Sequence, residues 1–259
     1  MNKLQGAFIM LIQSDYHIHA SFYRVRKEDD PPRPKAAEQL AAAREAGSVY
    51  VGIVEHCNNS PKHPFYCLEE LAAEFYSPEF PRNNVFFGVE ADLKDDGSDF
   101  CGREGREKLG LHYVIGSVHD SPKSGKNIEE YIAWEYKCIT NALKYNTNID
   151  FIGHPFGEGV RWERSGDIPM WHWGLIPQNV LEDILHLAKE SGKALEINRP
   201  RFDDPVYVDF LKRLRDDRIL FEVGSDAHRA DGAHAAAAER TKKLEELGFQ
   251  EEYHWRAVK

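Results

Sequence analysis

His17 and His19 stand two residues apart in Ser14-Asp15-Tyr16-His17-Ile18-His19, directly after the apolar run Phe8-Ile9-Met10-Leu11-Ile12. Successive side chains of a strand alternate faces, so the two imidazoles point the same way and can hold one ion through neutral ring nitrogens, while Ile18 faces the core. A His-x-His pair alone is weak evidence, because surface histidines commonly do nothing. Its weight comes from repetition: further apolar runs of strand length end in Glu55-His56, Glu90, His119-Asp120, Gly153-His154, Asn198-Arg199 and Asp226-Ala227-His228-Arg229. His17, His19, His56, Glu90, His119, His154, Asp226 and His228 together are more imidazole than any proton-transfer scheme uses. Imidazole with carboxylate suits Zn, Mn or Fe, and this set is enough for two to three divalent transition metal ions with positions left open for water or substrate.

Such a set converges only if the runs are neighbouring strands. The chain reads as strands over 8–12, 49–54, 85–89, 112–118, 149–152, 194–197 and 219–223. Helices are expected over 34–47, which Pro opens and Gly closes, and over 68–76, 128–145, 178–191, 205–215 and 235–247. Strands alternating with helices argue for a parallel sheet with right-handed crossovers. In an α/β barrel the functional groups gather at the C-terminal strand ends, which is where these groups fall. Two polar stretches, 58–84 around its helix and 92–110, are read as loop. The insertion over 155–177, with Arg161, Trp162, Arg164, Trp171, His172 and Trp173, is too aromatic for a linker; it is read as a lid, its tryptophans as local packing. His112, His172, His186, His234 and His254 lie away from strand ends and read as surface or loop residues.

At 259 residues, 42% hydrophobic and 29% charged, the chain can bury a large core as one domain over 1–259. A net charge of −10 disfavours nucleic acid and anionic membranes, so a phosphorylated substrate has to be small and drawn by local metals or arginines. Cys57, Cys67, Cys101 and Cys138 form no Cys-x-x-Cys and read as reduced thiols of a cytoplasmic protein. The short apolar start leads straight into the His pair and reads as a strand, not a signal peptide, and no run is long enough to span a membrane. Oligomeric state is left open.

The order of these groups resembles the polymerase and histidinol phosphatase (PHP) family, in its histidinol-phosphatase-like branch. The resemblance is carried by Asp15-Tyr16-His17-Ile18-His19, Val54-Glu55-His56, Gly88-Val89-Glu90, Ile115-Gly116-Ser117-Val118-His119, Gly153-His154-Pro155, Leu195-Glu196-Ile197-Asn198 and Gly224-Ser225-Asp226-Ala227-His228-Arg229. It implies a distorted seven-stranded (β/α)7 TIM-like barrel with a trinuclear metal site at the C-terminal strand ends. The implied reaction is hydrolysis of a small phosphomonoester, foremost L-histidinol phosphate to histidinol and phosphate, a step of histidine biosynthesis. The family pattern assigns one metal to His17, His19, Glu90 and Asp226, a second to Glu90, His119 and His154, and a third to His56, His228 and one more ligand. Members place that last ligand a few residues after His-x-His, where this chain reads Ala20-Ser21-Phe22-Tyr23-Arg24-Val25-Arg26. Either Asp29, Asp30 or another residue substitutes, or the third ion is weak or missing.

Two ions about 3.5 to 4 Å apart can share a hydroxide and aim it at phosphorus. Asp226 is then expected to orient that hydroxide, His228 to protonate the leaving oxygen, and Arg161 and Arg199 to hold the phosphate. The alternatives are a phosphoesterase acting on nucleotide monophosphates or other phosphoesters, and a catalytically weak metal-binding module. An amidohydrolase also begins with His-x-His but typically uses a carbamylated lysine where this chain has His119, with no lysine until Lys123. A nucleic-acid exonuclease would need a basic track.

Overall fold

The first strand among the described residues, β1, is Ser14–His19. Met10 and Ile12 are exposed, and pairing begins only at Ser14, opposite Tyr50. The structure, a computed structural model, describes residues 10–25, 33–119 and 127–257. The start of that apolar run, and Asp29, Asp30, Asp120 and Lys123, lie outside them. All six residues of β1 are buried, so its polar members must find partners inside the protein.

After β1 come α1 (Ala36–Glu45), β2 (Tyr50–Val54), β3 (His56–Cys57), α2 (Phe65–Phe75), β4 (Val85–Asp92), α3 (Gly102–Leu109) and β5 (Tyr113–Ser117). Then follow α4 (Ile128–Tyr145), β6 (Phe151–Ile152), α5 (Gly157–Ser165), α6 (Gln178–Ser191), β7 (Ala194–Glu196), α7 (Pro205–Asp216), β8 (Phe221–Glu222) and α8 (Ala235–Glu246). Local chemistry starts two of these helices: the side chains of Asn127 and Asp204 accept from the first free N–H groups of α4 and α7, and Pro205 follows Asp204 at the first turn. The stretch read as polar loop over 92–110 carries α3, whose sequence GREGREKL has too few apolar residues to advertise a helix.

Every strand pairing is parallel and each strand lies beside its successor in sequence, in the order β1-β2-β4-β5-β6-β7-β8. β3 continues the line of β2 along β4 in unbroken register, from Val51 opposite Val85 to His56 opposite Glu90, so the two are one barrel position interrupted at Glu55. The ring is joined between its first and last strands by a parallel bridge of Ile18 with Ala227, where His19 N–H donates to the Ala227 carbonyl (2.9 Å) and Asp226 N–H to the His17 carbonyl (2.8 Å). This is a distorted (β/α)7 barrel. No helix among the described residues is long and apolar enough to cross a membrane.

The barrel interior below the mouth is filled by aromatic side chains. Tyr113 of β5 reaches across to donate to the Tyr16 carbonyl of β1 (2.5 Å), and Trp255 packs on Tyr16, Tyr113 and Phe151. Gly88 makes room for this plug: a Cβ there would lie 2.5 Å from the Tyr113 ring. Outside the sheet, Trp162 and Trp171 pack on Tyr131 of α4, and Trp173 on Tyr207 and Phe210 of α7. All three tryptophans are buried, so the insertion is a packed part of the wall built around α5.

Candidate metal centre

The strand ends deliver the expected groups to one place. Glu90, fully buried on β4, has a carboxylate oxygen within 3.3 Å of a ring nitrogen of five histidines. They are His154 (2.8 Å), His56 (2.9 Å), His119 (3.2 Å), His17 (3.3 Å) and His19 (3.3 Å). His17 and His19 present their Nε2 atoms to each other at 3.1 Å, and Asp226 lies 3.3 Å from His19 Nε2 and 3.8 Å from His17 Nε2. The pairing of β1 with β2 shifts register between Asp15 and Ile18, a local irregularity beside the site of the kind that re-aims side chains. His228 stacks on His19 with ring centroids 4.1 Å apart. Ligand atoms lie within 4.8 Å of one another in the sets His17–His19–Asp226, His17–Glu90–His154, His19–His56–His228 and His56–Asp92–His119, so all eight residues are brought together.

Three carboxylates without an assigned role in the sequence reading hold the histidine rings from behind. Glu196 accepts from His17 Nδ1 at 2.8 Å, Asp92 from His119 Nδ1 at 2.7 Å, and Glu55 from His19 Nδ1 at 3.3 Å. Each contact ties up one ring nitrogen and leaves Nε2 to the site, the arrangement of metal-bound histidines backed by carboxylates. Glu196 also accepts from His154 N–H (2.6 Å), tying β7 to the loop after β6. Its place in Leu195-Glu196-Ile197-Asn198 was the available signal, but a carboxylate behind a ligand has no spacing rule of its own.

The backbone is strained where it carries these groups. His154, Arg199 and Asp226 have φ of 28°, 41° and 57°, left-handed values that side chains other than Gly and Asn rarely adopt. Each follows a strand end, where the chain turns out of the barrel.

The electrostatics are those of an anionic centre wrapped in imidazole. Burial alone would raise Glu90, but His119, His17 and His56 outweigh it and hold the carboxyl well below its usual range. Burial would likewise raise Asp226, and the hydrogen bond from His19 with the charges of His17 and Arg199 keeps it well below. For His17 the effect of burial is overcome by Glu196 and Glu90, which raise the ring well above its ordinary value, and His19 rises to about 9 through Asp226, Glu55 and Glu90. Burial dominates at the rim, where it lowers His56 well below its usual value and, with His19 beside it, takes His228 down to about 3. A cluster of ring nitrogens around two ionised carboxylates, in which buried Glu90 Oε2 meets His56 Nδ1 at 2.9 Å and His19 Nε2 at 3.3 Å, is a donor set that fits divalent cations.

The two arginines differ. Arg199 borders a cavity of about 770 Å³ together with Asp226 and His228; its guanidinium donates to Asp226 Oδ2 at 2.7 Å and to the Gly157 carbonyl at 3.2 Å. Arg161 is 61% exposed and pairs with Glu158, and the α5 residues that line the cavity are Val160 and Arg164. The structure therefore brings Arg199 to the site and leaves Arg161 on the rim of the wall. His234 and His254, read from sequence as surface or loop residues, are buried: His234 meets Gln39 Oε1 (3.0 Å) and His254 meets Ser14 Oγ (2.9 Å). His63, on the loop between β3 and α2, was not singled out at all, and its ring packs on that of His56 at 4.8 Å.

Comparison with known proteins adds the following. No protein-family profile matches the chain. It is 28% identical over 201 residues to a protein named probable phosphatase in Thermoanaerobacter pseudethanolicus, spanning 72% of this chain and 70% of that one, and equally to one from another Thermoanaerobacter strain. A probable phosphatase of Caldanaerobacter subterraneus is 28% identical over 157 residues, 56% of this chain and 50% of that one. Among solved structures, a histidinol phosphate phosphatase from Lactococcus lactis, in complex with zinc, L-histidinol and phosphate, superposes with a TM-score of 0.56 at 20% identity, covering 93% of this chain and 95% of that one. That likeness agrees with the barrel described above.

Proposed function

We propose that this protein is a metal-dependent phosphoesterase that hydrolyses a small phosphomonoester. The observation that carries the reading is Glu90 at the focus of five imidazoles, with Asp226, which lines the cavity, beside two of them. Similarity to proteins named as probable phosphatases supports it. His17, His19, Glu90 and Asp226 would hold one ion, Glu90, His119 and His154 a second, and His56 with His228 would take part in a third. Divalent ions bound there would neutralise phosphate charge and lower the pKa of a coordinated water.

The chain's own groups supply orientation. Arg199, tied to Asp226, offers its remaining N–H groups to phosphate oxygens, and Glu158 steadies it at 3.8 Å while pairing with Arg161. His228 faces the cavity with 34% of its side chain exposed and is held neutral, which suits a lone-pair ligand; to protonate a leaving oxygen it must first gain a proton, which Asp226 at 3.5 Å favours.

L-histidinol phosphate is the first ester to test, on the strength of the sequence motifs. A second reading rests on the cavity wall. Arg164, Arg199, Arg201, Arg240, Lys242 and Lys243 line it against Asp226, Glu239 and Glu246, an excess of cations in a chain of net charge −10. Glu158 and Glu163, the acids nearest to hand for a cationic amino-alcohol, are already paired with Arg161 and Arg201. This favours a neutral or anionic leaving group, such as that of a nucleotide monophosphate or sugar phosphate. A panel of histidinol phosphate, nucleotide monophosphates, sugar phosphates and a cyclic diester, assayed separately with Zn and Mn, tests both readings. Highest turnover on the diester overturns the monoesterase, and no turnover on any leaves a metal-binding module.

A further inference from the structure

We propose that His63, with Glu55 and His56, takes part in holding the third metal ion, supplying the ligand that is absent from the stretch after His19. This rests on the metal-dependent reading above. Ligand atoms of the three residues lie within 4.8 Å of one another, and the His63 ring packs on His56 at an interplanar angle of 29°. Two of the three also hold a buried polar atom without a hydrogen-bond partner, Glu55 Oε2 and His63 Nε2, while His56 Nδ1 meets Glu90 Oε2 at 2.9 Å. A buried acceptor without a partner is unfavourable, so two beside the His56 ring point to a missing partner, and a cation bound between the three residues serves both.

The protonation state of His63 follows from its loop. Asn58 Oδ1 accepts from the Ser60 N–H at 3.0 Å, which identifies that atom as the amide oxygen. His63 Nδ1, 3.2 Å from the same oxygen, must therefore donate to it, and the lone pair falls on Nε2, the atom without a partner. A ring held by its Nδ1–H with a free Nε2 is the state in which histidine binds a metal. Glu55 divides in the same manner. Its Oε1 accepts from Arg24 (2.9 Å), His19 (3.3 Å) and the His56 N–H (2.8 Å), and Oε2 remains. The chain thus replaces a ligand beside His-x-His by one from the loop between β3 and α2, while Arg24 stands in the vacated segment as an orienter of Glu55.

The test is metal stoichiometry on zinc-loaded, desalted protein, with cobalt spectroscopy as a second readout. His63→Ala should carry one ion fewer per chain than the parent protein, whereas Glu90→Gln should lose more. His63→Cys, loaded with cobalt, should restore the count and add a sulfur-to-cobalt charge-transfer band that the parent lacks. An unchanged ion count in His63→Ala, with no new band in His63→Cys, overturns the site and leaves Glu55 to Arg24 and His19, while the metal-dependent reading stands. Absence of bound metal from the parent protein sinks both.

Discussion

Glu90 and Glu222 are both wholly buried, both on barrel strands, and end in opposite states. At the mouth, imidazoles outweigh burial and keep Glu90 ionised. On β8, burial is reinforced by Glu196 and Asp15, which raise Glu222 well above the usual carboxylate range and favour its protonated form, while it accepts from the Tyr16 N–H at 3.2 Å. The lesson is that burial alone does not decide charge: the same desolvation yields an anionic binding centre where cationic partners surround it and a neutral packing residue where they do not.

The sharpest way to break this comparison is Glu90→Gln, which should strip bound metal and reduce phosphomonoesterase activity to assay background while the aromatic plug keeps the chain folded. Retained metal with full turnover would show that Glu90 is a structural residue like Glu222. Next in size, Glu196→Gln weakens the hold on His17 and on the backbone of His154; metal affinity should fall by roughly 10- to 100-fold, read by competition with a chelator.

Replacements in the plug should move stability and not metal. Gly88→Ala forces a methyl against Tyr113 and should cost about 1–3 kcal/mol in denaturant unfolding, with the ion count unchanged. A lost ion would mean that mouth and plug are not separable. In substrate binding, Arg199→Ala should raise KM several-fold more than Arg161→Ala, because only Arg199 borders the cavity; equal effects would return Arg161 to the site.

The smallest effect is in pH dependence. Because the folded state raises the Glu222 pKa, it keeps a proton that the unfolded chain releases above 4.5, so this residue makes stability fall as pH rises from there toward the folded value. Glu222→Gln should remove that slope, and its Tm advantage over the parent should grow with pH above 4.5. A constant offset across that range would mean that Glu222 is ionised in the folded protein.

Much of the architecture was readable because it depends on local signals. The helices over 128–145 and 178–191 coincide with α4 and α6, since capping, apolar period and terminators agree in one stretch of chain. The eight strand-end residues that come together could be named because a parallel barrel sends every strand's C-terminal end to one mouth. The strand over Ser14–His19 was hidden for a local reason as well: Phe8-Ile9-Met10-Leu11-Ile12 has the stronger strand pattern, while β1, polar on paper, is buried by partners far along the chain such as Glu196 and Glu222.

Sequence by itself determined the alternation of strands and helices, the convergence of imidazoles and carboxylates, and the gap after His19, because each depends on residue type and position along one strand. Only the tertiary structure decided that Glu90 stands at the focus, that Glu196, Asp92 and Glu55 hold the rings, that Arg199 and not Arg161 reaches the cavity, and that His63 lies against His56. Those relations join residues on different strands and loops, at separations set by barrel closure and by left-handed turns at His154, Arg199 and Asp226, and no periodicity in the chain encodes them.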